Sequence, residues 1–388
     1  MSAAKPHLLL IGAGPTHLYT FARWLEQRPK DLTLTLLSPQ IAPICSYRVA
    51  DWVAGHIPLE ACRMPLEATL QSLGVQWVSG RCTGLDANRR LVRHNNSSFG
   101  DLSYDVVSID VGTSGDAHSL EDLLPGARGR VLPMRPLESF VQLWPQVETL
   151  ASQRTVHLAV VGGHAAAVEM ALAVEAKMRR LGASSSVTVV TGRDGLLPEA
   201  NPRLQKHMQR LLTQRGIHYI AQRCVAIDDG QIYLDTGLRL QCDLPLIATP
   251  HQPAPWFKHS GATLNEQGFF TVNGHGQSTS HPEIFVSAHS LGEVPIGEKP
   301  LRDTLSVHGA TLAHNLVAIL KQQPLVVPPA APQTGVWIGT GDRRLVTHAG
   351  KVWGLSGLRW WQQQRALARF AKRLAQPAAS QGAGQAKG

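Results

Sequence analysis

Short apolar runs alternate with amphipathic stretches along most of this chain. Leu8 to Ile11 is too short for a helix and is closed by Gly12, so it predicts a buried strand. Thr16 to Glu26 follows with helical spacing, and Leu32 to Leu37 predicts a second strand. Further strands are expected at Val75 to Val78, Arg90 to Arg93 and Tyr104 to Val111. The alternation then restarts with a strand at Val156 to Val161, a helix from Ala165 to Leu181 and a strand at Ser186 to Thr191. A helix from Asn201 to Arg215 has Pro202 in its first turn, where a missing N–H costs nothing. Strands recur between Val225 and Leu240 and at Leu244 to Ala248; Glu283 to Ala288 reads as a buried strand and Asp303 to Leu320 as a helix.

Both strand-helix-strand units carry a glycine loop at the first turn. Gly12-Ala13-Gly14-Pro15-Thr16-His17 keeps the two glycines that let backbone approach a pyrophosphate at a helix N-terminus, with His17 in the third glycine position. Gly162-Gly163-His164 keeps the first glycine, puts His164 where phosphate touches backbone, and has Ala167 at the close-packing position. The fold expected is α/β, with two Rossmann-like dinucleotide-binding domains, the second inserted in the first. The first occupies 1–150 and 250–325, and the second 151–249. An interface or membrane-associating region at 326–376 and a disordered tail at 377–388 complete the chain.

Composition narrows the function classes. No segment approaches the roughly 18 apolar residues a membrane-spanning helix needs. The five cysteines, Cys45, Cys62, Cys82, Cys224 and Cys242, show no paired spacing, so neither a metal site nor a redox dithiol is expected. The formal charge of +9 would suggest nucleic acid, but from Gly341 onward nine cations face the single anion Asp342. Nearly all the excess therefore belongs to the C-terminal region, and no nucleic-acid reading motif accompanies it.

Gly12 to His17, Ser38-Pro39 after the second strand, Val53-Ala54-Gly55-His56 and Tyr104 to Gly112 together resemble the two-dinucleotide-binding-domain flavoproteins, the pyridine nucleotide-disulfide oxidoreductase superfamily. Leu197 to Arg203, Gly268 to Val272 and His281 to Phe285 continue the resemblance, which is nearest to the type II NADH dehydrogenase-like branch and its selenide, water dikinase-associated flavoproteins. It implies FAD held by the first domain, NAD(P)H held by the second, and electrons passed through flavin to a quinone or similar acceptor. Carried over by position, Gly12, Gly14, Pro15, Thr16 and His17 meet the FAD pyrophosphate, Ser38 and Pro39 the adenosine ribose, and Gly112 and Thr113 the flavin side.

The sequence departs from that pattern in places. Where the family ends its late flavin strand in Gly-Asp, this chain has Ser287-Ala288-His289-Ser290, and His289 either donates where aspartate accepted or marks a different pocket. Arg48, in Cys45-Ser46-Tyr47-Arg48, pairs with phosphate or sits in solvent. His164 reads as a pH-sensitive phosphate donor or as loss of the nicotinamide site, and Glu169 as a nicotinamide contact or a helix cap. His308 lies where the family's acceptor face carries glutamine, and it is the one weak catalytic candidate, since the chemistry is flavin-centred.

On a helical projection Trp360, Leu367, Phe370, Ala371 and Leu374 share one face while Arg365, Arg369, Lys372 and Arg373 fall opposite. Trp353 and Trp361 add rings suited to headgroup depth, so 353–374 reads as an interfacial membrane helix or as a helix packed on its own protein. The leading expectation is a cytoplasmic flavoenzyme, peripheral on the inner membrane face, either homo-oligomeric or with a protein partner. The competing readings are a flavin-binding or cofactor-less non-catalytic relative acting as a binding or regulatory subunit, and a flavoenzyme reduced by a protein donor.

Overall fold

A computed structural model describes residues 5–112, 117–198, 200–248, 252–291, 301–328, 337–349 and 352–377. Two five-stranded parallel sheets form its frame. The first runs Ile284–Val286, Val106–Ile109, His7–Ile11, Thr33–Ser38, Val75–Ser79 across its width. Apolar runs form these strands because both faces are covered, which removes any need for polar alternation; Leu8 to Ile11 are at most 1% exposed. The second sheet is ordered His218–Ile220, Ser186–Val190, His157–Val161, Leu244–Ile247, Leu132–Pro133. The return of Ile284–Val286 to the first sheet makes that unit discontinuous in sequence.

Leu132–Pro133 pairs with Leu244–Ile247, and the following helix, Leu137–Gln153, buries Phe140, Trp144 and Val147 in the core beneath the second sheet. The chain therefore enters the second layer before residue 150. Helix Pro202–Gln214 starts as its sequence dictates, with Pro202 at the first position and the Asn201 side chain accepting the Leu204 N–H at 3.0 Å.

The first helix, Pro15–Glu26, lies against Leu301–Leu320. Gly309 permits this closeness: a Cβ there would fall 2.4 Å from Tyr19 Cβ. Thr20 and Trp24 donate across the contact to the Gly309 and Ala313 carbonyls. Asn315 then fastens the start of the proline-rich connection by bonding both the N–H and carbonyl of Val326.

The C-terminal region is more structured than its sequence suggested. It contains an antiparallel sheet of Trp337–Gly339, Leu345–Ala349 and Val352–Ser356, so Trp353 lies in a strand, followed by helix Gly357–Ala375. The apolar face expected to meet a membrane is covered by the protein itself. Leu374 is fully buried among Leu66, Leu70 and Leu73, Phe370 stacks on Tyr19 at 4.2 Å, and Trp360 and Gln364 both donate to Asp51. Arg373 bonds the Ala22 carbonyl and Glu26. Periodicity identified the apolar face correctly but carried no information on what covers it. Among the described residues no helix is long and apolar enough to cross a membrane. Residues 378–388, expected to be disordered, lie outside the described residues.

Leu374→Ala is expected to cost about 2–4 kcal/mol, as buried leucine truncations do. Thermal unfolding measures it: a melting temperature equal to wild type would mean the helix is not docked as described.

Candidate functional site

The first glycine loop lies at the carboxyl ends of the neighbouring strands His7–Ile11 and Val106–Ile109, the edge where open α/β sheets bind ligands. Gly12 has φ +86°, and a Cβ there would lie 2.3 Å from the Asp110 carbonyl oxygen. A Cβ at Gly14 would fall 2.5 Å from the Asp110 carboxylate. Both positions therefore require glycine. Pro15 opens the helix, as its lack of an N–H allows. The N–H groups of Ala13 and Thr16 have no acceptor among the described residues, which leaves donors at a helix N-terminus for an anionic ligand.

Beneath this loop lies a buried carboxyl group, Asp110, that the sequence reading did not single out. Asp110 is 1% exposed; its carboxylate accepts the His17 N–H at 2.8 Å and the Ser287 hydroxyl at 2.6 Å. Ser290 Oγ accepts the Val111 N–H at 2.9 Å. Ser287 and Ser290 thus hold the end of the Val106–Ile109 strand in the segment where the resemblance expected an aspartate. The signal for Asp110 was a charged residue within an otherwise buried strand, alternating with Ser108.

His17 does not point toward a ligand. Its ring is fully buried, with Nδ1 2.7 Å from the Gly12 carbonyl and Nε2 2.8 Å from Ser108 Oγ. Because the carbonyl can only accept, Nδ1 carries the proton and Nε2 accepts from Ser108. Burial lowers the His17 pKa, opposed by Asp110 and the Gly12 carbonyl, so the ring is neutral and clamps loop to sheet. The expected contact between this side chain and pyrophosphate is thereby corrected: both ring nitrogens are already engaged inside the protein.

Ser38 is buried, with its hydroxyl donating to the Gln40 carbonyl at 2.9 Å, while Pro39 is exposed beside it. Arg48, on helix Ser46–Val53, is 5% exposed, so the solvent reading fails. Its Nε is buried without a hydrogen-bond partner, near Cys45, Cys62 and Asp51. Gly112 faces Arg135, whose Nη1 lies 3.6 Å from a Cβ built at Gly112. Thr113 and the side chain of His289 lie outside the described residues. His308 is half-buried one residue before the Gly309 crossing, and desolvation lowers its pKa.

The second loop is more closed. Gly162 has φ +147°, and a Cβ there would meet the Ala248 carbonyl at 2.5 Å and Ala167 Cβ at 3.1 Å. Gly163 is pressed by the segment after Ser186–Val190: a Cβ would lie 2.5 Å from the Gly195 carbonyl oxygen, and the Gly163 carbonyl accepts the Leu197 N–H at 2.7 Å. His164 is the residue before helix Ala165–Arg180, partly exposed, and its side chain does not cap that helix.

Glu169 neither caps its helix nor faces the loop. Its Oε1 accepts the Gly339 N–H at 2.8 Å and so ties the C-terminal sheet to the second unit. His56 Nε2 donating to the Gly341 carbonyl, and Arg215 paired with Glu175 and Asp342, complete that attachment. Desolvation pushes the Glu169 carboxyl up to about 8, against the bond from Gly339, and burial likewise raises Asp51. A folded-state value above the unfolded one means that the folded protein retains a proton the unfolded chain has released. Stability from this group is therefore full at pH values below the unfolded carboxylate range and falls as pH rises toward about 8. Glu169→Gln is expected to match wild type near pH 5 and to melt several degrees higher near pH 9. Identical pH profiles of melting temperature for the two proteins would contradict this assignment.

Burial raises all five thiols, Cys45 and Cys224 to about 11 and Cys62, Cys82 and Cys242 to about 12, so none is a ready thiolate at neutral pH.

Solved structures share this architecture at low sequence identity. Sulfide:quinone oxidoreductase from Aquifex aeolicus matches with a TM-score of 0.78 and 15% identity, over 96% of this chain and 92% of its own. NDH2 from Plasmodium falciparum, solved in complex with NADH, matches with a TM-score of 0.74 and 10% identity, over 96% and 98%. Water-forming NADH oxidase from Lactobacillus brevis, bound to NADH, matches with a TM-score of 0.69 and 15% identity, over 92% and 77%. No curated protein matches the chain in sequence. The family model for pyridine nucleotide-disulphide oxidoreductases matches residues 6–289, which span both glycine loops and the Asp110–Ser287 contact. The chain belongs to the pyridine nucleotide-disulphide oxidoreductase family.

Proposed function

We propose that the protein is an FAD-dependent oxidoreductase of the type II NADH dehydrogenase-like branch, nearest the selenide, water dikinase-associated flavoproteins, passing electrons from NAD(P)H through flavin to a quinone or similar acceptor. The first glycine loop carries this reading: two positions that admit only glycine, and two N–H groups at a helix N-terminus without an acceptor among the described residues. FAD fits this cradle, and when bound it supplies the ring that accepts hydride and returns electrons to the acceptor. The chain's own part is to bind and orient. Ala13 and Thr16 donate to the pyrophosphate, Asp110 and His17 keep the loop in shape from below, and the turn at Gly112 leaves room beside Arg135.

On this reading the first sheet belongs to the flavin unit, and the second, which the chain joins at Leu132–Pro133 and so ahead of the expected boundary at 150, to the nicotinamide unit. Nicotinamide nucleotide is the donor the family and the NADH-bound neighbours favour. The crowded Gly163 loop favours a second reading, reduction by a protein donor, because the segment through Gly195 and Leu197 already lies on the backbone. The purified protein is expected to show oxidised flavin absorption that NADH or NADPH bleaches under anaerobic conditions. A colourless protein that takes up no FAD on reconstitution would end the flavoenzyme reading, and a yellow protein bleached by neither nucleotide would select the second.

We also place the protein in the cytoplasm, peripheral on the inner membrane face. The support is the outward side of the C-terminal region, where Leu355, Leu358 and Trp361 are 42%, 65% and 48% exposed and Arg365 lies 4.4 Å over the Trp361 ring. Replacing Leu358 and Trp361 by serine is expected to reduce sedimentation with anionic liposomes; unchanged sedimentation would remove this surface from consideration.

A further inference from the structure

We propose that Arg135 is an anion-binding residue of the first nucleotide site, placed to hold an anionic oxygen of the bound flavin nucleotide at the Gly112 turn. The proposal rests on the flavin reading above and adds to it a residue, a charge and a contribution from the other sheet.

Arg135 follows Leu132–Pro133, the edge strand of the second sheet, at that strand's carboxyl end. Gly112 follows Val106–Ile109, between the strand that bears the glycine loop and the returning strand Ile284–Val286. The guanidinium thus reaches from the carboxyl edge of one parallel sheet to the carboxyl edge of the other. Its Nη1 lies 3.6 Å from where a side chain at Gly112 would begin, an ordinary contact distance, so the cation rests against the turn with no side chain between.

The charges around Arg135 leave it without a counterion among the described residues. It makes no salt bridge or hydrogen bond to them, and the carboxylate that acts on it is Glu138, three residues along the chain. Tyr47 is neutral: burial raises its pKa well above the usual value. Asp110, which also influences Tyr47, is already committed to the His17 N–H and the Ser287 hydroxyl. Desolvation lowers the Arg135 pKa, the direction expected of a cation short of compensation. Arg135 is partly buried, a guanidinium withdrawn from water favours a partner of opposite charge, and its planar fork suits phosphate or a planar anionic edge.

Two parts of the same ligand have that chemistry: the pyrophosphate, and the ring edge that becomes anionic on reduction. Equilibrium FAD binding and the two-electron midpoint potential separate them, measured on the full-length holoprotein and on Arg135→Gln and Arg135→Lys. If the oxygen belongs to the pyrophosphate, Arg135→Gln weakens FAD binding at least tenfold at unchanged potential. If it belongs to the ring, the variant disfavours the reduced form tenfold, a potential lower by about 30 mV. In either case Arg135→Lys recovers part of the loss, which a purely structural strut would not predict for a potential.

Arg135→Gln with wild-type affinity and potential overturns the proposal while leaving the flavin reading intact. A wild-type protein that binds no FAD removes both. Should the variants fail to fold, wild-type protein answers the question: FAD is expected to slow phenylglyoxal modification of Arg135 severalfold relative to the flavin-stripped form, and equal rates overturn the assignment.

Discussion

Gly12→Ala is expected to give a protein that loses its flavin on gel filtration and unfolds well below wild type. The new Cβ would sit 2.3 Å from the Asp110 carbonyl oxygen and 3.0 Å from Val111 Cγ1. Neither side can retreat cheaply. The Gly12 N–H is bonded to Leu37 at 2.8 Å and the Asp110 N–H to Ile11 at 2.9 Å, so the loop and its neighbour are both fixed to the central ladder. The residue must also keep a φ of +86°, which an L side chain tolerates at a cost of roughly 1–2 kcal/mol. Adding the strand displacement needed to relieve the overlap brings the loss to about 3–5 kcal/mol. Differential scanning fluorimetry reads the stability term whether or not flavin is present, and absorbance after filtration reads retention. A variant that melts within a degree or two of wild type would show that the loop does not have this shape.

Asp110→Ala is the second large effect, and it acts from beneath the same loop. It strands two buried donors, the His17 N–H and the Ser287 hydroxyl, at a position 1% exposed. Each unsatisfied buried donor costs about 1–3 kcal/mol, so the total loss is about 2–6 kcal/mol. The damage is local in a measurable way. Hydrogen exchange at the His17 amide, slow in wild type, is expected to accelerate far more than exchange in the Ser186–Val190 strand. Uniform acceleration across both sheets would instead mean global destabilisation with no special tie between Asp110 and the first helix. Asp110→Asn is expected to recover part of the loss, because its carbonyl oxygen still accepts one of the two bonds.

The parts of this site that could be read in the sequence are those whose cause is local. A tight turn with positive φ selects glycine at Gly12, and a free N–H position admits Pro15 at the first helical residue, so both appear as a motif within a few residues. The two sheets were legible because strands covered on both faces become short apolar runs. The rest depends on partners distant in the chain: Asp110 meets His17 across 93 positions, and Trp360 meets Asp51 across 309. Nothing near either residue encodes the other. His17 shows the converse, since its position within the motif suggested a ligand contact while the buried Ser108 on the next strand turned its ring inward. Glu169 was displaced from its expected roles for the same reason: its partner, Gly339, is 170 residues away and belongs to the region read as an interface or membrane-associating segment.

The docking of the C-terminal helix alters how any shortened form of this protein will behave. Cutting the chain ahead of residue 337 would strip the cover from Leu66, Leu70, Leu73 and Tyr19, and would leave the Asp51 carboxyl without Trp360 and Gln364. Such a fragment would be adhesive: it should light up hydrophobic dyes, self-associate and cling to lipid more strongly than the intact chain. Greater vesicle binding by the fragment would then report a torn core and not a liberated anchor. The surface substitutions at Leu358 and Trp361, which leave the plug in place, are the ones that can distinguish attachment from damage.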